Sequence, residues 1–252
     1  MRIPILRIEK THRKGANLLR AKGLSTESLR VTLAVERHRW AWRPKKVRFI
    51  LLAESHVFTS DADVRLRIKS TLLPTRYRRQ PDGFVRLVYC LGYGESNLVN
   101  GKPIRRNAGT WQFWDIFGRL AGTGRQPRGG SKVWKDRLEW KIKTLVRLRK
   151  RGIWLVDSSF HALYSPGGVR GYETVKRELH RVWWSEYGKW LIEACKPQGI
   201  WTIGRGVHEV LLRLGVPLDD DGWMYQPQAK ISTANFERRL KLLCTNAQNV
   251  CK

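Results

Sequence analysis

Residues 133–157 read VWKDRLEWKIKTLVRLRKRGIWLVD, and this stretch decides the class of fold. Over Val133–Lys150 the apolar side chains Trp134, Leu138, Ile142 and Leu145 recur at helical spacing, with lysines and arginines opposite them. That pattern is an apolar stripe on a basic helix. The chain then enters Ile153–Val156, apolar without alternation, and meets a carboxylate at Asp157. A continuous apolar run of this length reads as a strand buried on both faces. A helix feeding such a strand is the unit of a parallel sheet covered by helices.

Further runs share this character: Val47–Ala53 (VRFILLA), Arg86–Leu91 (RLVYCL) and Ile200–Ile203 (IWTI), with a weaker one at Trp223–Tyr225. Helical patterns lie between and after them. Tyr172–Ala194 places Val175, Leu179, Val182, Trp183, Trp190 and Leu191 on one face, and Val207–Leu214 and Thr233–Leu243 are shorter. The expected architecture is α/β: a three-layer α/β/α sandwich around a central, mostly parallel four- to five-stranded sheet. The Gly- and Pro-rich stretches Gly122–Gly130 and Ser165–Gly171 fall between elements, and no internal repeat is visible. Residues 1–252 therefore read as one domain, with 1–46 as a basic N-terminal extension packed on or near it.

Composition narrows the partners. The 252 residues carry 49 Lys+Arg against 21 Asp+Glu, a formal charge of +28. At 42% hydrophobic the chain has material for a sizeable core, which excludes full disorder. The basic residues come in blocks: Met1–Arg48 holds 14 with 3 acids, Arg119–Arg151 holds 12 with 2, and Arg65–Arg79 holds six with none. Solvated faces ordinarily mix signs, so these blocks point to a polyanion, usually nucleic acid. Twelve tryptophans, several beside cations as in Arg39-Trp40-Ala41-Trp42-Arg43, add candidates for base stacking, although most Trp side chains serve as packing. No apolar run is long enough to span a bilayer, and the basic N-terminus leads to no expectation of a secretory signal. The four cysteines (Cys90, Cys195, Cys244, Cys251) show no C-x-x-C spacing. A cytoplasmic protein without metal or cofactor is expected.

In a parallel sheet, ligands bind beyond the carboxyl ends of the strands. Those ends present Glu54-Ser55-His56, Asp157-Ser158-Ser159-Phe160-His161, Gly204-Arg205-Gly206 and Gln226-Pro227-Gln228. Their order resembles the uracil-DNA glycosylase superfamily. The family's Gly-[Gln/Glu]-x-Pro motif is matched by Ala53-Glu54-Ser55-His56, which keeps the Glu and lacks Gly and Pro. Its Leu-Leu-Leu-Asn strand looks like Ile153-Trp154-Leu155-Val156-Asp157 with Asp for Asn. Its later Gly-Lys-like turn is similar to Gly204-Arg205-Gly206, and Gln226-Pro227-Gln228 stands in place of His-Pro-Ser. The likeness spans Val47 to Ala229. The cysteines that the iron–sulfur branch requires are missing.

The resemblance implies a metal-independent DNA glycosylase that flips a base out and hydrolyses its glycosidic bond. Glu54 would orient water or stabilise charge on the sugar, Asp157 would read the base edge, and Gln226 would donate to base O2. Trp111, Phe113 and Phe160 are candidate base floors. Ser55, His56, Arg205, Pro227, Gln228 and Lys230 are candidate DNA contacts. An ionised Asp only accepts hydrogen bonds, so at position 157 it favours the N4 amino group of cytosine over O4 of uracil. A modified cytosine, as removed from phage DNA by antiviral members of the superfamily, is the expected substrate. The same residues admit plainer roles: Asp157 as a helix N-cap, Trp111 and Phe113 as hydrophobic staples, Glu54 in an ion pair, His161 as structural. Rival functions are a non-catalytic nucleic-acid-binding protein, a uracil repair enzyme, and a metal-dependent nuclease using Asp219-Asp220-Asp221. No membrane association or obligate protein partner is indicated.

Overall fold

A computed structural model describes residues 2–163, 173–226 and 229–251, apart from the side chains of Trp111, Gln112 and Ser131. Its centre is a four-stranded sheet of β1 (Phe49–Ala53), β4 (Ile153–Asp157), β5 (Gly199–Ile203) and β6 (Trp223–Met224). The order is β4-β1-β5-β6 and every pairing is parallel. A separate antiparallel pair, β2 (Arg67–Ile68) and β3 (Val99–Asn100), lies outside it. Phe49, Ile50, Leu51 and Leu52 of β1 are fully buried, each contributing about 1.5–3 kcal/mol by leaving water. Gly199 stands opposite Phe49, where a Cβ would come within 2.8 Å of the Phe49 ring.

Helices cover the sheet in two groups. One comprises α4 (Trp111–Ala121), α5 (Trp134–Arg151) and α9 (Thr233–Val250), with α5 against β4 and α9 against β5 and β6. The other comprises α1 (Ile5–Ala21), α2 (Leu29–Ala41), α6 (Glu173–Trp183), α7 (Lys189–Cys195) and α8 (Arg205–Arg213). A single π-turn, Trp184–Gly188, joins α6 to α7, so the described part of the expected Tyr172–Ala194 helix, from Glu173 on, is one rod with a bulge. A short helix α3 (Asp61–Arg65) with a Ser60–Asp63 capping box follows the β1 loop. The α/β class and the helix-flanked parallel sheet expected from the sequence are present, and the layering fits a three-layer sandwich.

Arg86–Leu91 is a correction: it forms turns rather than a strand. Cys90 N–H bonds to the Leu87 carbonyl, and Tyr93 N–H to that of Cys90. A short apolar run is buried equally well as coil, and here the segment has a specific task. Tyr89 Oη accepts from Leu155 N–H at 2.8 Å, which satisfies a donor on the outer edge of β4. The Arg86 guanidinium reaches Asp63 and the carbonyls of Arg105 and Arg106.

The segment expected as a basic extension forms α1 and α2 and sends Ile8, Val31, Val35, Trp40 and Trp42 into the main core. Tryptophan is mostly interior: Trp40, Trp42, Trp114, Trp140, Trp154, Trp183 and Trp201 are all buried.

The chain leaves β1 to build β4 on one side, then crosses back to build β5 on the other. A crevice therefore opens beyond the carboxyl ends of β1 and β5, where an open α/β sheet places its ligand.

Candidate functional site

Glu54, the first residue beyond β1, lines that crevice. With Lys176 and His180 from α6, Gly204 and Arg205 at the start of α8, and Gln226 beyond β6, it encloses a cleft of about 440 Å³. Gln226 Nε2 donates to Glu54 Oε2 at 3.2 Å. Lys176 Nζ lies 3.8 Å from Glu54 Oε1 and 3.1 Å from Glu173 Oε1. Gly204 permits this arrangement, because its φ is +109° and a Cβ there would meet Gln226 Nε2 at 3.0 Å. Arg177, Arg205 and Lys230 also line the cleft. The first-turn N–H groups of α8 at its wall add to the attraction for an anion.

His180 is the least expected member. It is buried, and its Nδ1 donates to the Ser158 carbonyl at 3.0 Å, which leaves Nε2 as the lone-pair nitrogen. Burial holds its pKa below the ordinary value, against the raising effects of the Ser158 carbonyl and Glu54, while Lys176 lowers it further. Lys176 and His180 stand four apart on one helical face, a spacing that sequence reading passed over in favour of the apolar stripe beside it.

Asp157 is elsewhere, which corrects both of its expected roles. It is 2% exposed, and Oδ2 accepts from Arg39 Nη2 at 2.5 Å and lies 3.4 Å from His56 Nδ1. Residues 158–163 after it are bends and coil, so it caps no helix there. His56 is likewise buried, its Nε2 donating to Glu27 Oε2 at 3.0 Å, so it is not a surface contact for DNA. Glu27 also accepts from Thr59 N–H and Ala162 N–H, pinning the loops after β1 and β4 together. Arg39 completes the cluster through Glu36 at 2.8 Å and the Leu155 carbonyl at 3.3 Å. Sequence reading missed Glu27, Glu36 and Arg39 because they lie in the presumed extension.

The ionisation of this cluster follows from its pairing. Burial opposes charge on His56, but Glu27 and Asp157 outweigh it and hold its pKa at about 10. Burial likewise opposes charge on Glu27 and Asp157, yet His56 for the first and Arg39 with His56 for the second keep both below the carboxylate range. Burial raises Glu36 despite Arg39. His38 and His161 are buried without carboxylate partners and fall to about 4, burial being the main cause. His161 lies between the His12 carbonyl and the Thr26 hydroxyl, a structural place.

A pH optimum for stability follows. As pH rises from 6.5 toward 10 the folded state retains the His56 proton that the unfolded state releases, so stability falls. As pH drops from 6.5 toward 4 the unfolded state protonates His38 and His161 while the folded state does not, so stability falls again. Below about 4.5 the depressed Glu27 and Asp157 add to the loss. Urea midpoints measured from pH 4 to 10 should peak near pH 6.5; a plateau running from pH 7 to 10 would refute the charged His56.

The other candidates divide. Arg205 is exposed, paired with Glu209 at 3.1 Å, and lines the cleft with Lys230. Ser55 Oγ accepts from Leu163 N–H. Phe160 is buried edge-on against Tyr187 at 4.8 Å, so it is core and not a base floor. Phe113 is half-buried against the core on α4, in the other helix layer. Pro227, Gln228 and the Trp111 side chain lie outside the described residues. Asp221 binds Arg239 at 2.8 Å, and among the described residues no group of three or more His, Cys, Asp or Glu is placed to hold a metal ion. Among the described residues no helix is long and apolar enough to cross a membrane. Set against protein-family models, curated proteins and solved structures, the chain matches none.

Proposed function

We propose that the chain is a hydrolytic DNA glycosylase with a uracil-DNA-glycosylase-like fold, working in the cleft between the ends of β1, β5 and β6. The observation that carries this reading is the Glu54–Gln226 pair, which joins two strand ends across the crevice at the sheet's switch point. In the reaction the base departs with the electron pair of its glycosidic bond, C1′ becomes cationic, and water adds to it. Glu54 stabilises that cation and takes the water proton. Gln226 spends its amide on Glu54 and so positions the carboxylate, where the family resemblance had given it base O2. Lys176 and Arg205 hold flanking phosphates.

The choice of cytosine rested on a free carboxylate at Asp157. With Oδ2 engaged by Arg39 and His56, that residue does not select a base in this reading, and the substrate is left as a base in DNA. The test is to incubate the protein with oligonucleotides holding uracil, cytosine or hydroxymethylated and glucosylated cytosine, then cleave abasic sites with alkali. Abasic sites in one substrate are expected. Their absence from all, with DNA still bound, would overturn the enzyme reading and leave a nucleic-acid-binding protein.

Binding itself should be salt-steep. The basic blocks predict a fall in log affinity of ~0.9 per neutralised duplex phosphate for each unit of log salt. A flat salt series would remove DNA as the partner.

A further inference from the structure

A second cleft, of about 470 Å³, lies between α4, α5 and the turns around Gly94 and Gly129, and shares no lining residue with the Glu54 cleft. Its size is that of a small-ligand site. We infer that it binds a nucleotide phosphate together with its attached base, independently of the reaction proposed above. Among the described residues, the cations lining it are Arg106, Arg128, Arg137 and Lys141, and the one carboxylate is Glu95. Glu95 is already spent inward: Arg137 holds it at 3.0 and 2.8 Å, and Lys141 at 2.8 Å. What faces the opening is therefore net positive.

The walls are tied in place before any ligand arrives. Lys141 is 2% exposed, and besides Glu95 it donates to the Tyr93 carbonyl at 3.1 Å. Asn107 accepts from Gly94 N–H at 2.7 Å and donates to the Gly92 carbonyl at 2.9 Å, joining two walls. Arg137 also donates to the Gly130 carbonyl, which fastens the third. Gly94 and Gly109 have φ of +85° and +69°, and a Cβ on either would press on the other's Cα at 3.2 and 3.1 Å. The backbone closes at the back of the cleft only because both are glycine. A rigid cationic wall suits a phosphate, since ordering costs are met in advance. Trp134, half-buried in the same lining, supplies a ring on which a base can stack. A free nucleotide and a nucleotide of a DNA strand present the same chemistry.

Isothermal titration calorimetry with deoxyadenosine 5′-monophosphate, deoxyadenosine, inorganic phosphate and a single-stranded oligonucleotide separates the cases. Arg106 and Arg128 are exposed, so Arg106→Ala/Arg128→Ala leaves the fold intact. It should weaken the monophosphate tenfold or more. Trp134→Leu should weaken the monophosphate but not inorganic phosphate, which distinguishes the cleft from general attraction to a basic protein. Glu54→Gln should leave the affinities for the monophosphate and inorganic phosphate unchanged, since Glu54 lines the other cleft. Binding of the monophosphate assigns the cleft to free nucleotides; binding of the oligonucleotide alone, lost in both cleft variants, assigns it to a strand. Failure of every probe to bind, or binding indifferent to both variants, would overturn the inference.

Discussion

Glu54→Gln is expected to slow base release by about 10²–10⁴-fold, the range for losing a positioned acid–base group. The change keeps the shape of the side chain and an oxygen that can still accept from Gln226 Nε2. In the proposed reaction, what disappears is the negative charge facing the sugar, and with it both the stabilisation of C1′ and the proton acceptor for water. DNA affinity should hold or rise slightly, because a carboxylate leaves a cleft that also contains Arg177, Arg205 and Lys230. Single-turnover assays of abasic-site formation, run beside binding titrations, separate the two effects. If turnover survived with unchanged stability, Glu54 would be only the ion-pair partner of Lys176.

Arg39→Met should cost about 3–5 kcal/mol of stability, the range for removing one partner of a buried ion pair. Arg39 and Asp157 are each under 5% exposed, as is Glu36, so removing the guanidinium strands buried carboxylates. The loss would reach beyond charge, since Arg39 also donates to the Leu155 carbonyl at the edge of β4. A loss of this size is a large part of the total stability of a domain. Urea unfolding measures it directly. Adding Asp157→Asn to Arg39→Met should recover part of the loss, because the stranded charge goes; a double variant as unstable as the sum of the singles would refute the pairing.

The class of fold was legible in β1, α5, β4 and β5. Their patterns need only local periodicity and burial on both faces, and both are properties of consecutive residues. That Glu54, Gln226, Arg205 and Lys230 line one cleft was legible for the same reason: a parallel sheet gathers its strand ends at one edge, so chain position alone groups them. Arg86–Leu91 was misread because an apolar run is silent about whether it pairs with a strand or packs over one, and Tyr89 packs over β4. Asp157 was misread for a deeper reason. Its neighbours Arg39, His56 and Glu27 come from three separate segments, and only their convergence determines that the carboxylate faces cations inside the protein rather than a ligand. Periodicity thus determined the sheet and its open edge, while tertiary packing decided which of the charged groups at that edge are turned inward, because the energy of a buried charge depends on partners that lie more than a hundred residues away.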